Sequence, residues 1–153
     1  MQIGVDNDRR VETKRVFIID NDGITGTVLK FMLEDDNETH EFATAEEAYA
    51  GAEKTVYGKT EKAIPHLLIV GTSVLQEKGV DIVKEIAAHF PDAKIVIAVE
   101  TADDPLAKQT LAKGGGAHGI IAKPYTVETV RRKVDMLLGR LKSEFVQLGD
   151  FSL

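Results

Sequence analysis

Four short polar clusters each follow an apolar run: Asp20-Asn21-Asp22, Gly71-Thr72, Glu100-Thr101 and Lys123. Two or three carboxylates gathered in one place can hold a hard divalent cation through oxygen. A hydroxyl and an ammonium beside them can bind the oxygens of a phosphoryl group. Gly71 adds no side-chain oxygen to the set. The hydroxyls of Thr72 and Ser73 would need an activating base to act as nucleophiles.

The elements that must position these clusters are legible from periodicity. Val16 to Ile19, Leu67 to Val70, Lys94 to Val99 and Ile120-Ile121 are short apolar runs of the kind found in a parallel sheet covered on both faces. Thr39 to Phe42 is a weaker strand. Between them run helical patterns: Ile24 to Glu34, with Ile24, Val28, Phe31 and Met32 on one stripe, and the alanine-rich Thr44 to Val56. A further helix runs from Gly79 to His89 through Ile82, Val83 and Ile86, and another starts at Asp103-Asp104-Pro105 and ends at Gly114-Gly115-Gly116. The last pattern, N-capped by Thr126, repeats apolar residues at three- and four-residue steps: Val127, Val130, Val134, Leu137, Leu138, Leu141, Phe145 and Leu148.

Five strands alternating with five helices imply parallel pairing through right-handed crossovers, hence a three-layer α/β sandwich. Chemistry in such a sheet lies outside the carboxyl ends of the strands, at a topological switch point. The four polar clusters all stand there.

Composition narrows the function. In 153 residues there is room for one domain with tails, and 43% hydrophobic residues suffice for a core. A net charge of −6 argues against a phosphate-binding nucleic-acid surface. With no cysteine, disulfides, thiolate metal sites and cysteine nucleophiles are excluded. The histidines at 40, 66, 89 and 118 lack metal-ligand spacing. The charged N-terminus has no apolar core of a signal peptide, and no apolar run reaches membrane-spanning length, so a cytoplasmic protein is expected. No catalytic pair or phosphate loop is evident: the glycine run ends a helix, whereas a dinucleotide loop opens one. The chain is not expected to be an enzyme.

Asp20 after its apolar run, Gly79, Thr101-Ala102, and above all Gly116-Ala117-His118-Gly119-Ile120-Ile121-Ala122-Lys123-Pro124 resemble the receiver domain of response regulators (CheY-like). The resemblance covers roughly Lys14 to Leu138. It implies a flavodoxin-like (βα)5 doubly wound sheet of strand order 2-1-3-4-5. Three regions are expected: a tail at 1–13 that is disordered by its charge without period, a receiver-like domain at 14–138, and at 139–153 an extension of the last helix and C-terminal tail.

In receivers, two acids after the first strand hold magnesium, and an aspartate ending the third strand takes a phosphoryl group from a histidine kinase. A Ser or Thr and a Lys then bind its oxygens. By this resemblance Asp20 matches the first acid, Asn21 stands in place of the second, Gly71 occupies the phospho-acceptor position, Thr101 matches the hydroxyl and Lys123 the lysine. Two of three carboxylate positions are lost, so neither magnesium nor another cofactor is expected, and the phosphorylation site is degenerate. The resemblance also implies a cis bond at Pro124.

Asp20 has two open readings, a helix-capping or ion-pairing acid on one side and a metal ligand on the other. A partly buried ammonium is costly alone, so Lys123 is expected to pair with Asp20 or Asp22. The resulting expectation is a pseudo-receiver that binds a protein partner of unidentified kind without phosphorylation. Ile120, Tyr125, Leu141 and Phe145 are its expected contact residues. The alternative is a switch by an anion held at Lys123 and Thr101. The stripe beyond Leu138 either folds back on its own domain or pairs with a second subunit, as in a homodimer through the final helix, or with an output partner.

Overall fold

The computed structural model describes residues 13–56 and 59–140. The elements follow in the order β1 (Lys14–Ile19), α1 (Gly23–Leu33), β2 (Asn37–Phe42), α2 (Ala45–Gly51), β3 (Glu53–Val56), β4 (Lys59–Lys62) and β5 (Leu67–Gly71). Then come α3 (Thr72–Lys78), α4 (Asp81–His89), β6 (Lys94–Val99), α5 (Pro105–Leu111), β7 (Gly119–Ala122) and α6 (Val127–Leu137). One five-stranded sheet has the order β2-β1-β5-β6-β7, every pairing parallel. This is the flavodoxin-like arrangement, with the chain reversing its direction of travel between β1 and β5.

Alternation along the strands builds a core on each face. Phe17, Ile19, Leu68, Val70, Ile95 and Ile97 point to one side, where α2, α3, α4 and α5 bury Ala48, Leu75, Ile86 and Ala107. Val16, Ile18, Leu67, Ile69 and Val96 point to the other, against Leu29 and Leu33 of α1 and Val130 and Val134 of α6. Strands buried on both sides must be apolar throughout, which is why the runs read as continuous.

Four details depart from the sequence reading. The helix expected through Val56 stops at Gly51, and Glu53–Val56 instead pairs antiparallel with Lys59–Lys62. The register sets Glu53 opposite Lys62 and Lys54 opposite Glu61, and the β-branched Thr55, Val56 and Thr60 favour strands over helix. The helix α3 was not expected: it starts directly at the end of β5 without a side-chain cap, so it lacks a start signal.

On α1 the buried residues are Gly26, Leu29 and Leu33, while Ile24, Val28 and Phe31 are exposed. Of the expected stripe, only Met32 is partly buried against the core. The fourth departure concerns the last helix. At its end the Gly139 N–H donates to the Met136 carbonyl and the Arg140 N–H to the Asp135 carbonyl, with Gly139 at φ 83°. These two bonds and the left-handed glycine form a Schellman motif that ends α6. The expected continuous stripe is therefore interrupted, and Leu141, Phe145 and Leu148 lie outside the described residues.

Candidate functional site

β1 delivers Asp20 to the carboxyl edge of the sheet, and the chain turns at once into α1. Asp22, not Asp20, caps that helix: its carboxylate accepts from the Ile24 N–H at 3.0 Å and the Thr25 hydroxyl at 3.1 Å. These two hydrogen bonds hold the exposed Asp22 carboxyl below its ordinary pKa.

Asp20 turns inward and is only 8% exposed. Its Oδ1 accepts from the Asp22 N–H and from the Ser73 hydroxyl, each at 2.9 Å. Burial pushes its pKa up, against the two hydrogen bonds that lower it. The carboxylate lies over Gly71. A Cβ built on Gly71 would stand 2.3 Å from Asp20 Oδ2, 2.5 Å from its Cγ and 2.9 Å from Oδ1. The glycine thus leaves more than a missing oxygen: its space is taken by the neighbouring acid.

The other members of the set are similarly committed. Asn21 donates its amide to Glu77 Oε1 at 2.9 Å. Thr72 donates to the Ala98 carbonyl at 2.7 Å, inside the protein. Lys123 does not pair with Asp20 or Asp22 as expected; its Nζ lies 2.8 Å from Glu100 Oε2. The expectation assumed a partly buried ammonium, but Lys123 is exposed and is free to take the carboxylate that projects from the end of β6. Glu100, by its hydrogen bond, raises the Lys123 pKa. Thr101 is exposed and does not line the small cleft of about 90 Å³ between Asp20, Asp22, Ser73, Glu100 and Tyr125.

The Lys123–Pro124 peptide is cis. Tyr125 forms one wall of the cleft, with its hydroxyl donating to the Val99 carbonyl at 3.3 Å and the Lys123 ammonium 5.8 Å from its ring. Burial first, then the nearby Glu100 charge, pushes the Tyr125 phenol up to about 12. Ile120 packs against the core cluster that holds Ile95 and Ile97, and Tyr125 against the one that holds Val130 and Val134. Both are half-buried, and Leu141 and Phe145 lie outside the described residues.

A magnesium ion does not fit these residues as they stand. Asp20 is turned away into the Gly71 gap and Asn21 is tied to Glu77. Among the described residues, no group of three or more His, Asp or Glu side chains is placed to hold a metal. Glu77 was missed by the sequence reading, while Ser73 and Glu100 were noted there but not as the partners of Asp20 and Lys123. Glu77 carries no signal of its own in the sequence.

A doubly wound parallel sheet with acids, a hydroxyl and a lysine at its carboxyl edge defines a class of signalling domain. The profile of the response regulator receiver domain matches residues 16–135, and the chain belongs to that family. It is 31% identical over 113 residues to a protein-glutamate methylesterase/protein-glutamine glutaminase of Sulfurimonas denitrificans. That alignment covers 73% of this chain but only 30% of the relative's length. Among solved structures, a response regulator of Thermotoga maritima superposes with a TM-score of 0.66 at 21% identity, over 84% of this chain and 99% of its own. The chemotaxis protein CheY4 of Vibrio cholerae gives 0.66 at 22% identity, over 82% and 99%. At these identities the two structures bear on the fold alone. No helix among the described residues is long and apolar enough to cross a membrane.

Proposed function

We propose that this receiver domain of the two-component family works as a phosphorylation-independent protein interaction module, without enzymatic activity of its own. The observation that carries the reading is the position of the Asp20 carboxylate, which fills the space any side chain at Gly71 would need. An in-line transfer requires a carboxylate oxygen facing the donor. At Gly71 there is none, and Asp20 is engaged with Ser73 and the Asp22 N–H.

The partner is a protein, met on the face of α5, β7 and α6. Leu111, Val127 and Met136 are the exposed apolar residues of α5 and α6. They join the half-buried Ile120 and Tyr125 as contact candidates. A cytoplasmic location goes with this reading. An anion switch at Lys123 and Thr101 draws no support: Lys123 is already neutralised by Glu100, and Asp20 and Asp22 add negative charge beside it.

Beryllofluoride mimics the phosphoryl group of an activated receiver and tests the reading directly. With magnesium and beryllofluoride, the amide spectrum is expected to match that with magnesium alone at Gly71, Thr101 and Lys123. Saturable shifts there that spread into β7 and α6 would mean that the domain still switches.

A further inference from the structure

The glycine run that follows α5 takes no part in the cleft around Asp20, yet its conformation is tightly specified. Gly114 and Gly116 lie at φ 82° and 99°, where a side chain is strained. A Cβ on Gly115 would stand 2.3 Å from the Thr110 carbonyl oxygen, and one on Gly116 would lie 3.1 Å from Val83 Cγ1 of α4. The Gly115 N–H donates to the Ala112 carbonyl at 2.8 Å and the Ala117 N–H to the Thr110 carbonyl at 3.0 Å. The turn is therefore preformed and held between the end of α5 and the side of α4.

Two clefts of about 290 and 610 Å³ adjoin at this turn, and Lys84, Lys113 and Gly114 line both. The larger has the volume of a small-molecule site and adds Ala87, Leu111 and Ala117 as an apolar wall, with His118 beside them. The His118 Nδ1 accepts from the Ile95 N–H at 3.0 Å, so in the neutral ring the proton sits on Nε2, a donor left over for a ligand. Partial burial, then the Lys94 charge, holds the His118 pKa below its ordinary value, which keeps the ring neutral at pH 7. Lys113 has no carboxylate partner among the described residues. Lys84 meets Asp81 at 3.7 Å, an exposed pair that contributes little. Asp81 lines the smaller cleft, and no acid among the described residues lines the larger.

We infer that the larger cleft binds a nucleoside monophosphate, its phosphate between Lys84 and Lys113 and its base against Ala87, Leu111 and Ala117. Two ammonium groups match the double charge of a phosphate monoester. An apolar wall with one fixed donor at its edge, the His118 Nε2–H, matches a planar heterocycle. A longer phosphate chain would run past Gly114 into the smaller cleft and meet Asp81, so the monophosphate is favoured over the triphosphate. A nucleic-acid strand is the weaker occupant, because a net charge of −6 leaves no broad basic surface to follow a backbone. The inference goes beyond the interaction-module reading and meets it at one residue, Leu111, which a bound base would cover. The beryllofluoride experiment reads Gly71, Thr101 and Lys123, none of which lines these clefts, so the two can fail separately.

The test is titration of the full chain with AMP, GMP, CMP and UMP at physiological ionic strength, followed by amide NMR. At least one of them is expected to give saturable shifts at Gly114, Gly116, Ala117 and His118. Lys113→Gln removes a charge-assisted hydrogen bond and is expected to weaken that binding roughly tenfold. Leu111→Ser is expected to weaken the nucleotide while leaving inorganic phosphate unchanged, and Lys30→Gln, on α1, to alter neither. The exposed positions of these side chains leave the fold intact, and the same spectra report it. Absence of saturable shifts with every nucleotide overturns the inference. So does inorganic phosphate that binds as tightly as the nucleotide, a corresponding triphosphate that binds more tightly, or equal weakening by Lys30→Gln, the mark of diffuse charge attraction.

Discussion

Gly71→Asp is expected to destabilise the fold by roughly 2–4 kcal/mol at neutral pH, the scale of overpacking combined with like charges forced into one site. The new Cβ would overlap the Asp20 carboxylate, whose Oδ2 lies 2.3 Å from its position. Asp20 must then rotate outward and give up the Ser73 hydroxyl and the Asp22 N–H. Gly71→Ala isolates the steric part and is expected to cost about half as much. The diagnostic is coupling. In an Asp20→Ala background the carboxylate is gone and the Gly71→Ala penalty should nearly vanish, a double-mutant interaction of about 1–2 kcal/mol read from urea unfolding. Strict additivity would mean that Asp20 does not occupy the gap in solution. Gly71→Asp is also expected to take up little phosphate, because Asn21 still replaces a carboxylate and is bound to Glu77.

Asp20→Asn should act in the opposite direction, raising stability at pH 7 by ~1 kcal/mol, or roughly 3–4 °C in Tm for a domain of this size. Burial raises the Asp20 pKa in the folded state, so its ionised form at neutral pH is held at a cost. Asparagine keeps an oxygen for Ser73 and the Asp22 N–H while removing the charge. The sign follows from the raised pKa. The cost is present above the folded pKa and disappears as pH falls through it towards the ordinary carboxylate value of 3.8. The advantage of Asp20→Asn over the parent should therefore shrink to nothing on acidification.

Glu38 works the other way. Hydrogen bonds from Arg15 and His40 depress its pKa to about 2, so its contribution is present above its unfolded value of 4.5 and is lost as pH falls towards 2. Glu38 is common to both proteins, so comparing them cancels it. An advantage constant from pH 7 to pH 3 would show that Asp20 carries no desolvation cost.

A parallel sheet covered on both faces was readable because β1, β5 and β6 must be apolar on both sides, a pattern that little else imposes on so short a run, whereas the strand order came with the receiver resemblance. Helix α1 shows where periodicity fails. Ile24, Val28, Phe31 and Met32 form a better stripe by size than Gly26, Leu29 and Leu33, yet the chain enters from Asp22 with the smaller set facing the sheet. Spacing identifies a helix; it does not say which of two apolar faces is inside. The entry angle is set by the local Asp22 cap together with the position of β1 in the sheet, and the second of these is a tertiary fact.

At the site, the identities at 20, 21, 71, 101 and 123 were legible and their contacts were not. The Lys123 pair failed because it assumed burial, whereas the side chain is exposed and Glu100 is within 2.8 Å. The turn of Asp20 into the Gly71 gap depends on a single side-chain rotation. That rotation is permitted by a missing Cβ 51 residues away in the chain, and no local pattern encodes it.

The most direct test is the intact mass of the full chain after incubation with magnesium and a small phosphodonor such as acetyl phosphate, with an ordinary receiver treated alongside. The account predicts an unchanged mass for this protein while the control gains one phosphoryl group. A gain of one phosphoryl group that is labile in mild base and maps to Asp20 or Asp22 would contradict it.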